Sequence, residues 1–188
     1  MHLIDAILEA NRRAAAGETN IPAAAGAGAP PLAALTCIDP RLNRLLPGVL
    51  GLPEDRFIWL RNAGNIVTGP TSSTMRSLAL ACAVKGAREI AIIGHSDCLV
   101  SKTPEPVLRE HLAALGVDPH RLPGDLAGYF GLFASVCDNV LRGVGIVRSS
   151  PLIGAEIPVH GLVIDVETGR LEWVHNGYRR QPSPLPAA

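Results

Sequence analysis

The chain carries no excess charge of either sign. Its 17 Lys and Arg are balanced by 17 Asp and Glu, scattered rather than clustered, so the basic footprint of a nucleic-acid surface is missing. No apolar run approaches the roughly 20 residues of a membrane span, and the first residues carry acids rather than the basic start of an export signal. Cysteines are few, at positions 37, 82, 98 and 137, and too widely spaced to staple a small secreted module. The expectation is a soluble, cytoplasmic protein whose thiols stay free for metal or catalysis. Lysine is nearly absent: Lys85 and Lys102 stand against 15 Arg. With abundant alanine, that bias points to GC-rich coding and a bacterial source.

At 188 residues the chain fits one ordinary domain with a real core. HLIDAILEANRRAAA (2–16) sets Leu3, Ile4, Ile7 and Leu8 on one helical face, with Asp5, Glu9, Arg12 and Arg13 opposite. GETNIPAAAGAGAPP (17–31) then separates that helix from the rest. Residues 1–31 therefore read as a projecting helix and linker that needs a surface to cover, its own domain or a partner subunit. Residues 32–188 read as a single α/β domain. Strands are expected at 31–38, 55–62 and 88–95, and helices at 69–87, 103–116 and 125–143. A hairpin closes the chain, with strands around Leu162–Val166 and Arg170–Val174. Alternation of this kind implies a central, mainly parallel sheet flanked by helices and finished by an antiparallel hairpin. No internal repeat interrupts it.

Three residues of metal-ligating type fall at strand ends: Cys37 after the first strand, His95 and Cys98 after the third. Sites in open parallel sheets form outside the carboxyl ends of the strands, so two such ends can converge on one ion. Two thiolates and an imidazole suit Zn2+, and three protein ligands leave a fourth position for water. His-x-x-Cys alone fits a buried core pair equally well, and Cys82 and Cys137, among apolar neighbours in expected helices, read as core. The stretch Cys37-Ile38-Asp39-Pro40-Arg41 adds a carboxylate and a guanidinium on a stiff turn, since Pro40 fixes its own φ and extends Asp39. A carboxylate so placed can accept a hydrogen bond from a metal-bound water.

Taken together, Cys37-x-Asp39-x-Arg41, Arg61-Asn62-Ala63-Gly64-Asn65 and Gly94-His95-x-x-Cys98 resemble the β-class carbonic anhydrases. Order and spacing agree, and the resemblance covers most of residues 32–174, closest to the short prokaryotic branch. It implies an α/β fold assembled as a homodimer or a multiple of dimers, with the N-terminal helix lying on the neighbouring subunit. It implies one Zn2+ per chain on Cys37, His95 and Cys98, with Asp39 and Arg41 orienting the zinc-bound hydroxide that hydrates CO2 to bicarbonate. Arg61, Asn62, Ala63 and Gly64 would wall the substrate pocket. The family usually follows its second cysteine with glycine, where this chain has Leu99. Leucine there is strained if the backbone needs positive φ, and otherwise adds an isobutyl group at the mouth of the site. Relatives with the same ligands hydrolyse carbonyl sulfide or carbon disulfide, so substrate choice rests on channel shape. A low-turnover zinc-binding homologue is a further alternative, disfavoured by Asp39 and Arg41.

Overall fold

The computed structural model describes residues 2–24 and 29–179. Its core is a five-stranded sheet of β1 (Leu32–Cys37), β2 (Phe57–Asn62), β3 (Glu89–His95), β4 (Val159–Ile164) and β5 (Leu171–His175). The strand order is β2-β1-β3-β4-β5. The first four strands are parallel to their neighbours, and β5 returns antiparallel to β4. The expected α/β architecture is the one observed.

Alternation along the strands sorts the core into two layers. Leu32 and Ala34 of β1, with Ala91 and Ile93 of β3, face α1 (Leu3–Ala15) and α2 (Leu42–Leu50). Ala33 and Leu35, with Ile90 and Ile92, face α3 (Ser73–Ala83) and α7 (Val136–Arg148). Covered on both faces, β1 and β3 are buried along almost their whole length, which is why they read as continuous apolar runs. β2 lies at the sheet edge, and its residues alternate toward solvent instead. Among the described residues no helix is long and apolar enough to cross a membrane.

Several expectations need correction. Residues 42–50 form a helix that the sequence disguises with an internal Pro47 and Gly48. Its apolar residues Leu42, Leu46 and Leu50 recur at helical spacing and are buried. The single helix expected over 125–143 is two. α6 (Leu126–Phe130) ends at Gly131 in the left-handed conformation, and Ser135 caps the new start of α7 by accepting a hydrogen bond from the Asp138 N–H. That break puts Cys137 in the first turn of α7, where it is exposed rather than core, whereas Cys82 is buried. Between β3 and α6 lie the short α4 (Leu99–Lys102) and the solvent-facing α5 (Glu105–Ala114).

The N-terminal helix does not project. Ile4 and Ile7 are fully buried within the same chain. Asn11 ties the helix to the hairpin, its Nδ2 donating to the Gly169 carbonyl at 2.8 Å and its Oδ1 accepting from the Leu171 N–H at 2.8 Å. Within the single chain, the face that the resemblance gave to a neighbouring subunit packs on the chain's own core.

β3 approaches α7 through a glycine. A Cβ on Gly94 would lie 2.7 Å from Val136 Cγ1 and 2.8 Å from Val140 Cγ2. Gly94→Ala is therefore expected to lower the unfolding free energy by about 1–3 kcal/mol through overpacking. Urea titration checks it, and an unchanged midpoint would mean that α7 can move away freely.

Candidate metal centre

β1 and β3 run side by side and parallel, so the loops leaving their carboxyl ends meet. Cys37 closes β1, His95 closes β3, and the turn after β3 brings Cys98 back beneath both. All three side chains are buried, and their ligand atoms lie within 4.8 Å of one another. Among the described residues this is the one such group of three.

Each ligand is aimed by a neighbour. His95 Nδ1 lies 2.8 Å from the Ser96 carbonyl, which can only accept, so the proton sits on Nδ1. Nε2 is left buried with no hydrogen-bond partner. An orphaned imidazole lone pair beside two thiols is a costly arrangement unless a cation completes it. The Gly64 N–H donates to Cys37 Sγ at 3.3 Å. The Cys98 thiol, aided by His95 and by the Asp39 and Gly64 amides, holds Cys37 well below the usual thiol range, to about 4, against the opposing effect of burial. Its partner Cys98 is pushed upward, first by that same thiolate and then by burial. Burial opposes charging His95, but the adjacent Cys37 thiolate, with the Ser96 carbonyl, outweighs it and raises it. The protons shared by these groups are the ones a soft divalent cation would displace.

Asp39 and Arg41 are brought together beside the ligands. Arg41 Nη2 donates to Asp39 Oδ2 at 2.7 Å and Nε to Oδ1 at 3.0 Å. The guanidinium holds the Asp39 carboxyl below its ordinary range, so it stays ionised through mildly acidic pH. The resemblance also put Arg61, Asn62, Ala63 and Gly64 around the pocket, and here the structure divides them. Arg61 spends its guanidinium on the β1 loop, donating to the carbonyls of Cys37 at 2.7 Å and Asp39 at 2.8 Å. Asn62 staples its own turn, donating to the Ile66 carbonyl at 2.7 Å and accepting from the Ile66 N–H at 2.8 Å. Ala63 is exposed. Of the four, Gly64 is the one whose described hydrogen bond reaches a ligand sulfur.

Leu99 opens α4 and does not adopt positive φ. The strain considered for it is therefore absent. Its side chain is 70% exposed at the rim. The left-handed residues of this region are instead Gly64, Asn65 and Asp97.

Three contributors escape a reading by motif. Asn139 on α7 donates from Nδ2 to the Gly64 carbonyl at 2.9 Å, fixing the turn whose amide faces Cys37. Lys102 and Asp97 form an ion pair, and Asp97 Oδ2 accepts from Arg41 Nη1 at 2.7 Å. Lys102 first and Arg41 second pull the Asp97 carboxyl down to about 2. Asp97 sits in a left-handed conformation that Asp tolerates, a feature visible only in the folded chain. Asn139 carries no signal in the sequence, being 75 residues from its partner.

The comparisons agree with this geometry. The family model described as carbonic anhydrase matches residues 32–111. "Putative carbonic anhydrase YtiB" of Bacillus subtilis is 37% identical over 153 residues, covering 78% of this chain and 82% of that protein. A carbon disulfide hydrolase of Acidianus is 31% identical over 156 residues, covering 73% and 74%. The crystal structure of a β-carbonic anhydrase from Trichomonas vaginalis superposes with a TM-score of 0.74 at 28% identity, over 95% of this chain and all of that one. Fold and ligand cluster thus define an α/β protein with a Cys-His-Cys cluster able to hold a metal at the carboxyl ends of parallel strands. The chain belongs to the β-carbonic anhydrase family, whose relatives include carbon disulfide hydrolases.

Gly64 is the tightest point of the site. Its φ is +69°, and a Cβ there would lie 2.7 Å from Phe133 Cε1. Gly64→Ala is expected to destabilise the fold by about 2 kcal/mol or more from strain and overpacking together. It should also weaken metal affinity by on the order of tenfold, because the amide that orients Cys37 moves. Chelator competition measures this, and unchanged affinity would separate that amide from the metal centre.

Proposed function

We propose that the protein is a zinc-dependent carbonic anhydrase catalysing the reversible hydration of carbon dioxide to bicarbonate, with one Zn2+ per chain on Cys37, His95 and Cys98. The observation that carries this reading is the buried triangle of two Sγ atoms and an unpartnered His95 Nε2. That donor set suits tetrahedral zinc with one open position. When bound, zinc supplies the Lewis acidity that makes hydroxide available from water near neutral pH for attack on a carbon electrophile.

The chain supplies the rest. The Asp39 carboxylate, held by the main-chain N–H, Nε and Nη2 of Arg41, accepts a hydrogen bond from the attacking water and leaves its lone pair facing the substrate carbon. Arg61 fixes the backbone on which Asp39 rides. Ile66, Val100 and Phe133, packed about Gly64, leave little room for bulk water behind the ligands. A small linear molecule without charge fits such a site.

A second reading is hydrolysis of carbonyl sulfide or carbon disulfide. It is favoured by the Acidianus and Saccharolobus solfataricus relatives, both carbon disulfide hydrolases, the latter 32% identical over 161 residues. Leu99, next to Cys98, adds exposed apolar surface at the rim that would suit a less polar substrate. Self-association as a homodimer or a multiple of dimers accompanies either reading. It is supported by β2 lying at a sheet edge, where Trp59, Leu80 and Val84 are exposed together along one groove.

Metal analysis of purified protein should find about one zinc per chain, as three protein ligands in one cluster require. A zinc-free preparation with full activity would end the mechanism. Asp39→Asn should keep its zinc and lose on the order of 100-fold in kcat/KM for CO2. Unaltered turnover would remove the dyad. Parallel kinetics on CO2, COS and CS2, with Leu99→Gly alongside, decide the substrate; faster turnover of the sulfur substrates by the native chain would install the second reading.

A further inference from the structure

Arg41 has a second carboxylate partner that the hydration chemistry does not call for. Besides its fork onto Asp39, its Nη1 donates to Asp97 Oδ2 at 2.7 Å and its Nη2 to the Asp97 main-chain carbonyl at 3.0 Å. Asp97 in turn pairs through Oδ1 with Lys102. Asp97 lies between His95 and Cys98, in a left-handed backbone conformation of φ +57° that turns its carbonyl and carboxylate toward Arg41. One guanidinium therefore bridges the loop that follows β1 and the loop that follows β3.

The consequence is geometric. Arg41 is 41% exposed along its side chain, and a long, solvated arginine held by one partner would sample several rotamers. Held from both ends, it keeps its Nε and Nη2 donors fixed in the plane where Asp39 must lie. Arg61 holds the main chain of the Asp39 loop, the Arg41 main-chain N–H donates to Asp39 Oδ1 at 2.9 Å, and the described donors that reach Asp39 Oδ2 are Nε and Nη2 of the Arg41 guanidinium. The Oδ2 edge of the Asp39 carboxylate thus depends on the Arg41 guanidinium, and the guanidinium on Asp97.

We infer that Asp97, backed by Lys102, is a positioning residue that locks Arg41 across the two ligand loops and so keeps the Asp39 carboxylate aimed at the attacking water. This deepens the proposed reaction and rests on the role given there to Asp39. Asp97 touches neither substrate nor metal in this account; it acts through Arg41.

The test uses the zinc-loaded full chain. Asp97→Gly deletes the carboxylate while keeping a residue at ease with positive φ, and Asp97→Asn keeps an oxygen acceptor of the same shape without charge. Asp97→Gly should retain its zinc and lose on the order of tenfold in kcat/KM for CO2. Asp97→Asn should recover part of that loss. In both proteins the Arg41 Nε–H, identified in the NMR spectrum by its loss in Arg41→Lys, should exchange with solvent several-fold faster than in the native chain. In an Asp39→Asn background the further change Asp97→Gly should cost nothing more, because the two positions act in series.

Native kcat/KM in Asp97→Gly, or an additive loss on top of Asp39→Asn, would overturn the inference. So would loss of zinc from Asp97→Gly, which would make Asp97 a shaper of the ligand loop; unaltered Arg41 exchange in Asp97→Asn overturns it even if the glycine variant fails to fold. Full turnover in Asp39→Asn would instead take down the dyad reading itself, and this inference with it. The two failures are distinguishable.

Discussion

The parallel pairing of β1 with β3 is the constraint on which the site depends. Thr36 lies opposite Ile93 in that ladder, so both strands end at the same level and Cys37 and His95 emerge side by side. The same pairing carries both halves of the core, since alternate residues of the two strands face α1 and α2 on one side and α3 and α7 on the other. Burying those strands supplies the hydrophobic free energy. It also brings polar ligands into an interior where unpaired groups are expensive. The fold therefore has to satisfy the metal residues or coordinate something with them.

It does both. The Gly64 amide, the Ser96 carbonyl and the Cys98 thiol each engage a ligand, so Cys37 and His95 are oriented before any cation arrives. Around them two arginines divide the labour. Arg61 grips the backbone of the β1 loop, and Arg41 crosses from that loop to Asp97 on the other. Loops joined this way behave less like loops than like extensions of the strands that bear them. That rigidity is what a reaction on a small, featureless substrate needs, because such a substrate offers few handles for binding.

Much of this is written locally in the chain. The apolar runs of β1 and β3, the Cys37, His95 and Cys98 spacing, and the Asp39-Pro40-Arg41 turn are all short-range signals, legible because a buried parallel strand and its terminal ligands are contiguous in sequence. What stayed hidden depends on contacts between distant segments. α2 is masked by Pro47 and Gly48, although its leucines keep helical spacing. Arg61 reads as a pocket residue, and its bracing of the Cys37 and Asp39 carbonyls emerges only from the fold. The N-terminal helix has an obvious apolar face, yet only the Asn11 contacts across about 160 residues show that it closes on its own chain. Leu99 departs from the family pattern without strain, since the backbone places it at the start of a helical turn.

The central claim is that the ends of β1 and β3 form a single zinc centre. A crystal of the full chain measured on both sides of the zinc absorption edge tests it most directly. One anomalous peak per chain is expected, about 2.3 Å from the Sγ atoms of Cys37 and Cys98 and about 2.0–2.1 Å from His95 Nε2. A peak bound through other residues, or none in protein that hydrates CO2, would contradict it.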